Sequence, residues 1–456
     1  MPFRLLDGSS VLSTLLLSLT FFCGASAAET SPANPIALGR AVVALNGPWK
    51  FHTGDDVRWA GPDFDDSDWE SIGLTPAAGA HDSDVGLTGY VPGWQTKGHR
   101  GYIGYAWYRV RVSIESPAGD GLALSGPAYV DSAYQVFFDG RLIGEFGDFS
   151  GATPAAYGIH RPKFFPLSAA DISMAQSQNG LLIAFRVWMG SWMLGDPESG
   201  GIRIAPSLGT TAGADARYQA QRWETIRGYI VDAGEAVLFW LLALVACSLI
   251  PFDRSNPAYR WLAAALVFIG IARANQAVFF WWEFESLHGF EVVTVVLMIP
   301  LSLGAWTLAW YYWVRPRHSA WLPAAVGALT LILMISTILR RSWFYGTFAP
   351  SFEAALRFCS MSVRLIFLIL TLLIVFRILV QPSREKWFLI PAILLLSVGL
   401  FAQELSLIGI PGIWFPFGVG VSRTEYAYAV FDIALIALLL RRMYSFRTIQ
   451  AAVRTG

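Results

Sequence analysis

Cysteine, histidine and charge are all scarce in this chain, and each scarcity removes a class of answer. Three cysteines occur in 456 residues, Cys23, Cys247 and Cys359. The first falls within an N-terminal export signal, and the next lies beyond residue 240. The segment 28–215 therefore has no disulfide to rely on and must be held by its own core. The six histidines are His52, His81, His99, His160, His288 and His318. None forms a helical i,i+4 pair with an acidic neighbour, which removes the zinc-enzyme spacings. A Gly-rich phosphate loop and a nucleophile elbow are also missing. The expectation is a non-enzyme with no catalytic residue, no cofactor and no metal. Charged residues make up 14% of the chain with a formal net charge of zero. With no basic run either, nucleic acid is not an expected partner.

What the chain has in quantity is apolar sequence, 54% by composition, concentrated in its second half. Arg4, the short apolar run Val11–Phe22 and Ala25-Ser26-Ala27 read as a secretory signal peptide over 1–27, too short to span stably. Phe22 before Cys23 is too bulky for a lipoprotein site. Seven apolar stretches then fall at about 228–250, 260–282, 291–313, 321–339, 357–380, 387–410 and 424–440. Most run roughly 18–25 residues, enough at ~1.5 Å per residue to cross a ~30 Å hydrocarbon core. A cleaved signal places the start of the first span outside and the end of the seventh inside. The positive-inside rule agrees. Arg254, Arg260, Arg315, Arg317, Arg384, Lys386, Arg441, Arg442, Arg447 and Arg454 fall on the inner side. The outer loops carry Arg340, Arg341 and Arg423 against Glu283, Glu285, Glu291, Glu353 and Glu425. The expected location is the cytoplasmic membrane, multi-pass, with the N-terminal domain exported and the C-terminus cytoplasmic.

The exported segment reads as all-β. Trp107–Ile114 alternates apolar and polar residues, as a half-buried strand does. Val130–Phe138 is β-branched and aromatic and runs into the hairpin pair Asp139-Gly140, and Leu181–Trp188 is a further strand. Short Gly, Pro, Asp and Ser clusters separate them, so the fold class is an exported β-sandwich followed by a helical membrane bundle.

Four blocks in this segment carry a resemblance. Leu45-Asn46-Gly47-Pro48-Trp49-Lys50-Phe51 with Trp59 and Phe64–Trp69 forms the first, and Gly104–Arg109 the second. Val130–Tyr134 with Asp139-Gly140 is the third, and Gly200-Gly201-Ile202 before Pro206 the fourth. In this order they resemble galactose-binding-like jelly rolls, including the sugar-binding domain of family 2 glycoside hydrolases. Joined to seven spans, the chain resembles the bacterial seven-transmembrane receptors with diverse intracellular signalling modules. That resemblance implies an exported jelly roll over 28–215, a linker over 216–227 and a seven-helix bundle over 228–440. A carbohydrate-like or small polar ligand would bind outside. The family normally continues into a kinase, cyclase or phosphatase. Here Arg441–Gly456 follows, a short basic cytoplasmic tail suited to anionic lipid headgroups or to the stub of a signalling helix. A separate cytoplasmic signalling protein is therefore the implied partner. A hydrolase is disfavoured, because in family 2 enzymes the carboxylate pair sits on a separate barrel. A transporter is disfavoured by the lack of an internal repeat. The alternative is a signalling-dead receptor or a membrane-anchored carbohydrate-binding protein.

A sugar site pairs exposed aromatics with groups that bond hydroxyls, and loops are where such sites sit. Tyr90, Trp94, Gln95, His99, Arg100 and Tyr102 fall within thirteen residues, and Trp188, Trp192, Asp196 and Glu198 follow a later strand. Ligand contact is expected from Tyr90, Trp94, Gln95, His99, Arg100 and Trp192. Trp49, Trp69 and Trp107 are expected in the core, with Asp131 and Tyr134 as framework. Asp65, Asp66 and Asp68 read as a solvated turn or a calcium ligand set. Ionisable residues inside spans are costly and carry a functional expectation. Asp232, Glu235, Arg273, Arg364, Glu404 and Asp432 are expected to form one polar cluster. In it Arg273 and Arg364 face Glu404 and Asp232 or Glu235, to fix helix register, as a two-state core, or as part of a proton or ion pathway.

Overall fold

The computed structural model describes residues 42–455, apart from 84, 114–120, 157–160, 178–179, 191–192, 194–196, 284, 315–320, 342–343, 345–346, 382–384, 411 and 416–419. The expected signal peptide lies outside the described residues. The first half is β and the second helical, with both packed into one compact unit, Ala41–Gly456.

Two antiparallel sheets enclose the β core. The larger has the order β3 (Glu70–Ile72), β2 (Trp49–Thr53), β4 (Gly104–Val112), β10 (Leu181–Met189), β7 (Ala133–Phe138), β8 (Arg141–Phe146). The smaller has the order β1 (Val42–Ala44), β12 (Ser207–Thr210), β5 (Leu122–Ser125), β9 (Phe164–Pro166). A ribbon of β6 (Tyr129–Asp131) and β11 (Gly201–Ile204) closes one end. Period-2 alternation sends Tyr108, Val136, Ile183, Phe185 and Val187 to the inner face, where they meet Leu124, Phe165 and Leu208 of the smaller sheet. Asp139 and Gly140, at φ 45° and 86°, make the β7–β8 hairpin with the left-handed backbone that this residue pair favours.

The outer face of the larger sheet is also covered. Trp107, Phe137 and Trp69 form a second small core with Trp59 and Phe64. The Arg109 guanidinium lies over the rings of Phe64 and Trp69 and pairs with Asp66 at 3.0 Å. Asp65 accepts the Ser67 N–H at 3.0 Å. The acidic run is thus a turn that carries the lid of this core.

At the ribbon end sits a wholly buried ion pair. Arg203 Nη1 donates to Asp131 Oδ2 at 2.7 Å, and the same oxygen accepts the Gly200 N–H at 2.9 Å. Arg203 Nε donates to the Val91 carbonyl at 3.0 Å, and its plane lies over Tyr90 and Tyr129. Burial lowers the pKa of Arg203, opposed by the charge of Asp82.

The helical half contains α2 (Thr211–Gly228), α3 (Ile230–Leu249), α4 (Ala258–Trp281), α5 (Leu287–Trp313, with a π stretch at Glu291–Met298), α6 (Trp321–Ile338) and α7 (Pro350–Val380), after a short α1 (Ala169–Ser177) inside the β half. It continues with α8 (Lys386–Leu400), α9 (Ala402–Leu407), a two-strand hairpin β13 (Ile413–Trp414) and β14 (Val421–Ser422), and α10 (Arg423–Thr455). Five helical segments are long and apolar enough to cross a membrane: α2–α3 taken together, α4, α5, α6 and α7. They mark the chain as a membrane protein, and their outward residues agree: Leu244, Phe358 and Phe376 are more than 60% exposed.

The sixth expected stretch, 387–410, is not one helix. It breaks at Phe401, and only the 15-residue α8 remains as a shorter apolar helix. The seventh continues well past residue 440, so the expected tail is part of α10. The expected linker, 216–227, is the second half of α2. Its N-cap Thr210 accepts the Gly213 N–H at 3.1 Å, and the helix packs along β5 and β12.

Asp131→Ala should leave the Arg203 guanidinium buried without its carboxylate, a change that costs about 3–5 kcal/mol. The expected outcome is early loss of β structure on urea titration followed by circular dichroism. An unshifted midpoint would show that the pair is not holding the ribbon.

Candidate functional site

The β half and the helical half meet through an apolar seam and a shared helix. Val85, Leu87, Tyr129 and Ile204 of the β half pack on Tyr229, Phe279, Phe280 and Leu287. Hydrogen bonds cross the seam from Leu287 N to the Ala156 carbonyl, at 2.8 Å, and from Arg161 Nη2 to the Phe280 carbonyl, at 3.1 Å. Glu283, just past α4, receives Lys163 at 2.7 Å and Arg161 at 3.4 Å. Burial pushes the Glu283 pKa up, but the hydrogen bonds and charges of Lys163 and Arg161 outweigh it and hold the group below its ordinary 4.5.

The helix α2 belongs to both halves. Its first turns lie on the smaller sheet, and Gln221 meets Ser125 Oγ at 3.3 Å. Its last residue, Gly228, sits so close to Val85 that an added Cβ would come within 2.7 Å of it. Tyr229 then bends the chain (φ −100°, ψ 7°) while its amide still reaches the Thr225 carbonyl at 3.3 Å. Its ring lies flat on Phe280 at 3.9 Å. The next turn, in α3, carries Asp232 and Glu235.

These carboxylates meet Arg273 of α4. Arg273 Nη1 lies 2.7 Å from Asp232 and Nε 2.7 Å from Glu235, with Glu425 of α10 at 3.9 Å from Nη2. All four side chains are close to fully buried. A second pair is separate from it: Arg364 of α7 binds the Glu404 carboxylate through both Nε and Nη2 and donates to the Leu400 carbonyl at 3.0 Å. Arg423 donates to the carbonyls of Ala402 and Ile410 at 2.8 and 2.7 Å. The two arginines thus satisfy carbonyls released where the α8–α9 stretch breaks, as non-helical backbone at membrane depth requires. Asp232, Arg273, Arg364, Glu425 and Tyr428 line one cavity of about 570 Å³ between the helices.

The expected polar cluster is therefore two ion-pair groups facing one cavity. Arg273 takes Asp232 and Glu235, and Arg364 takes Glu404. Asp432, two turns beyond Glu425, joins neither; it is 2% exposed, and neither carboxylate oxygen has a hydrogen-bond partner among the described residues. Glu425 and Arg423, counted from sequence as loop charges, are core members. Their signal was only their place at the start of the last apolar stretch.

The expected sugar loop is mostly framework. Trp94 is wholly buried, packed on Phe51 and Tyr102, with Gly200 directly against its ring. It has no face open to a ligand, which corrects the expectation of a stacking platform. Gln95 is 9% exposed and is consumed by its own loop, bonding the Tyr102 carbonyl and the Gly101 N–H. His99 pairs with Glu70, and Tyr90 donates to Glu198 at 3.0 Å while covering Arg203. Arg100 is exposed, and Trp192 lies outside the described residues. Trp49, Trp69 and Trp107 are in the core as expected.

No protein-family model matches the chain, and no curated protein matches it. Solved structures similar to part of it include a Bacteroides uniformis beta-glucuronidase, at 21% identity over 37% of this chain and 17% of that one, TM-score 0.25. A beta-glucuronidase of glycoside hydrolase family 2 is 17% identical over 38% of this chain and 18% of that one, TM-score 0.26. A Bacteroides vulgatus beta-glycosidase is 19% identical over 37% and 20%, TM-score 0.24. The chain thus spans about a fifth of the length of these enzymes, and likeness at this level says nothing of activity.

Two outcomes follow. Arg273→Leu should leave the Asp232 and Glu235 carboxylates buried without their guanidinium and lower stability by about 3–5 kcal/mol, read as a lower unfolding midpoint in bicelles. A wild-type midpoint would remove the cluster from the account of the bundle. For Glu283, whose pKa is depressed when docked, the contribution to docking is complete above the ordinary value and is lost as pH falls through the docked value. The protection factor at 280–287, corrected for the pH dependence of intrinsic exchange, should therefore fall progressively below about pH 4.5 and stay constant above it; a factor unchanged from pH 6 down to about pH 3 would exclude a role for the pair.

Proposed function

We propose that this protein is a membrane receptor: the β half is an exported jelly-roll sensor for a carbohydrate-like or other small polar ligand, the helical half is a seven-span bundle, and occupancy passes to a separate cytoplasmic protein. The observation that carries this reading is α2. It is bonded along the sensor's sheet and runs through a single bent residue, Tyr229, into the helix that supplies Asp232 and Glu235 to the buried arginine cluster. A displacement of the sensor relative to the seam has one covalent route into the bundle, and that route ends on the Arg273 ion pairs. Buried ion pairs are poor sources of net stability but good register devices. A two-state bundle needs such a device.

The resemblance in sequence to seven-transmembrane receptors with jelly-roll sensors supports the same reading. In this topology α2 and the seam lie outside, and the far end of α10 lies inside. The described residues hold no group of three or more His, Cys, Asp or Glu placed to bind a metal, and the proposed role needs neither metal nor catalysis.

The test uses the full chain in nanodiscs. Tyr444, 72% exposed near the far end of α10, is changed to Cys in a Cys247→Ser, Cys359→Ser background and labelled with bimane. Saccharides are then added. A saturable change in bimane emission is expected for at least one sugar, and the change should vanish in Gly86→Val. Gly86 has φ +75°, and a side chain there would meet the Phe415 ring at 2.6 Å, prising the sensor from the hairpin. Emission that stays flat for every saccharide would sink the receptor reading.

A further inference from the structure

Between the sensor, the end of α2 and the β13–β14 hairpin lies a cavity of about 660 Å³, within the ~300–1,000 Å³ range of small-molecule sites. Its walls come from three chain segments. The sensor gives the loop 76–89, where Gly79, Gly86 and Gly89 at φ +74°, +75° and +87° bring bare backbone to the surface. The last turn of α2 gives Glu224 and Arg227, and the hairpin gives Phe415. Neither the Glu224 carboxylate nor the Arg227 guanidinium has a hydrogen-bond or ion-pair partner among the described residues. Phe415 is 37% exposed, and its ring meets His81 at 4.3 Å. The His81 Nδ1 bonds the Asp82 carbonyl at 2.8 Å, which leaves Nε2 for another partner.

We infer that this junction cavity is the receptor's ligand site and that it takes a hydroxylated sugar ring. The inference rests on the receptor reading and supplies its site. A sugar ring needs an acceptor for hydroxyls, a donor for hydroxyl or carboxyl oxygens, and an apolar surface for its C–H face. Glu224, Arg227 and Phe415 provide one of each around a single space. A sugar acid has the most to gain, because its carboxylate pairs with Arg227 in a charge-assisted bond. Two of the three walls also lead into the bundle: Glu224 lies eight residues, ~12 Å of helix, before Asp232, and the hairpin runs directly into Arg423 and Glu425. A ring bonded to both α2 and the hairpin draws together the helices α3 and α10 that flank Arg273. Two of the three walls, α2 and the hairpin, thus have cluster residues at their inner ends, which gives binding here a direct route to the ion pairs.

The experiment titrates the full chain in nanodiscs with D-glucose, D-glucuronate, N-acetyl-D-glucosamine and cellobiose by isothermal calorimetry, with the Tyr444→Cys bimane signal read in parallel. At least one of the four is expected to bind, glucuronate most tightly. Glu224→Gln and Arg227→Gln should each weaken binding at least tenfold, and Arg227→Gln should remove the advantage of glucuronate over glucose. Both changes are on a solvent-facing helix surface, so the α-helical circular dichroism signal should be unaltered. Binding that both variants retain at wild-type affinity overturns the site, and so does a wild-type chain that binds none of the four. The two readings fail separately. Binding that needs Glu224 and Arg227 but leaves bimane unchanged keeps the site and ends the receptor reading. A bimane response that both variants retain keeps the receptor and ends the site.

Discussion

Arg273 cannot lie inside an apolar bundle without carboxylates to meet it, and much of the helical half is arranged around that requirement. The guanidinium does not lose its charge at any ordinary pH, so burial must be offset by partners. Asp232 and Glu235 come from α3, one helical turn apart on one face, and Glu425 approaches from α10. Three helices are therefore fixed in rotation and depth by one side chain. The apolar core below, built from Phe239, Leu266, Trp306, Ile393 and Phe431 among others, has no comparable directional preference. Packing there holds the helices together, and the ion pairs say in which register.

The β half repeats this logic at its own end. The Arg203–Asp131 pair is wholly buried and draws together β6, β11, the Val91 carbonyl and Gly200. Those are the segments that abut the seam, since Tyr129 and Ile204, neighbours of the pair, pack against the helical half. This end of the β half and the bundle are then joined by α2 and by Glu283.

Much of this was legible in the sequence where one residue pattern has one physical outcome. The period-2 runs became β4, β7 and β10, and Asp139-Gly140 became a hairpin because few other pairs tolerate its backbone. The apolar runs became long helices because nothing else satisfies a backbone in lipid. Asp131 proved to be framework, and the residues of the intramembrane cluster, apart from Asp432, were found in ion pairs. The sugar loop was misread for a definite reason. Aromatics and polar groups within thirteen residues look alike whether they face solvent or fold inward, and Trp94 and Gln95 fold inward because Gly200 leaves room for the indole and the Gly101 N–H and Tyr102 carbonyl need a partner. The sixth apolar stretch was read as a single span because hydropathy does not register a break whose carbonyls are met by arginines from other helices.

The sequence by itself determined which segments are β and which are helical, and that buried charge must be paired. These follow from local periodicity and from the cost of an unsatisfied group, neither of which needs a distant neighbour. Only the tertiary structure decided who pairs with whom. It gave Arg273 to Asp232 and Glu235 and Arg364 to Glu404. It also brought Glu224, Arg227 and Phe415, nearly 190 residues apart, around one cavity. That assignment depends on how three chain segments stack at the seam, a matter of long-range packing that no local pattern encodes.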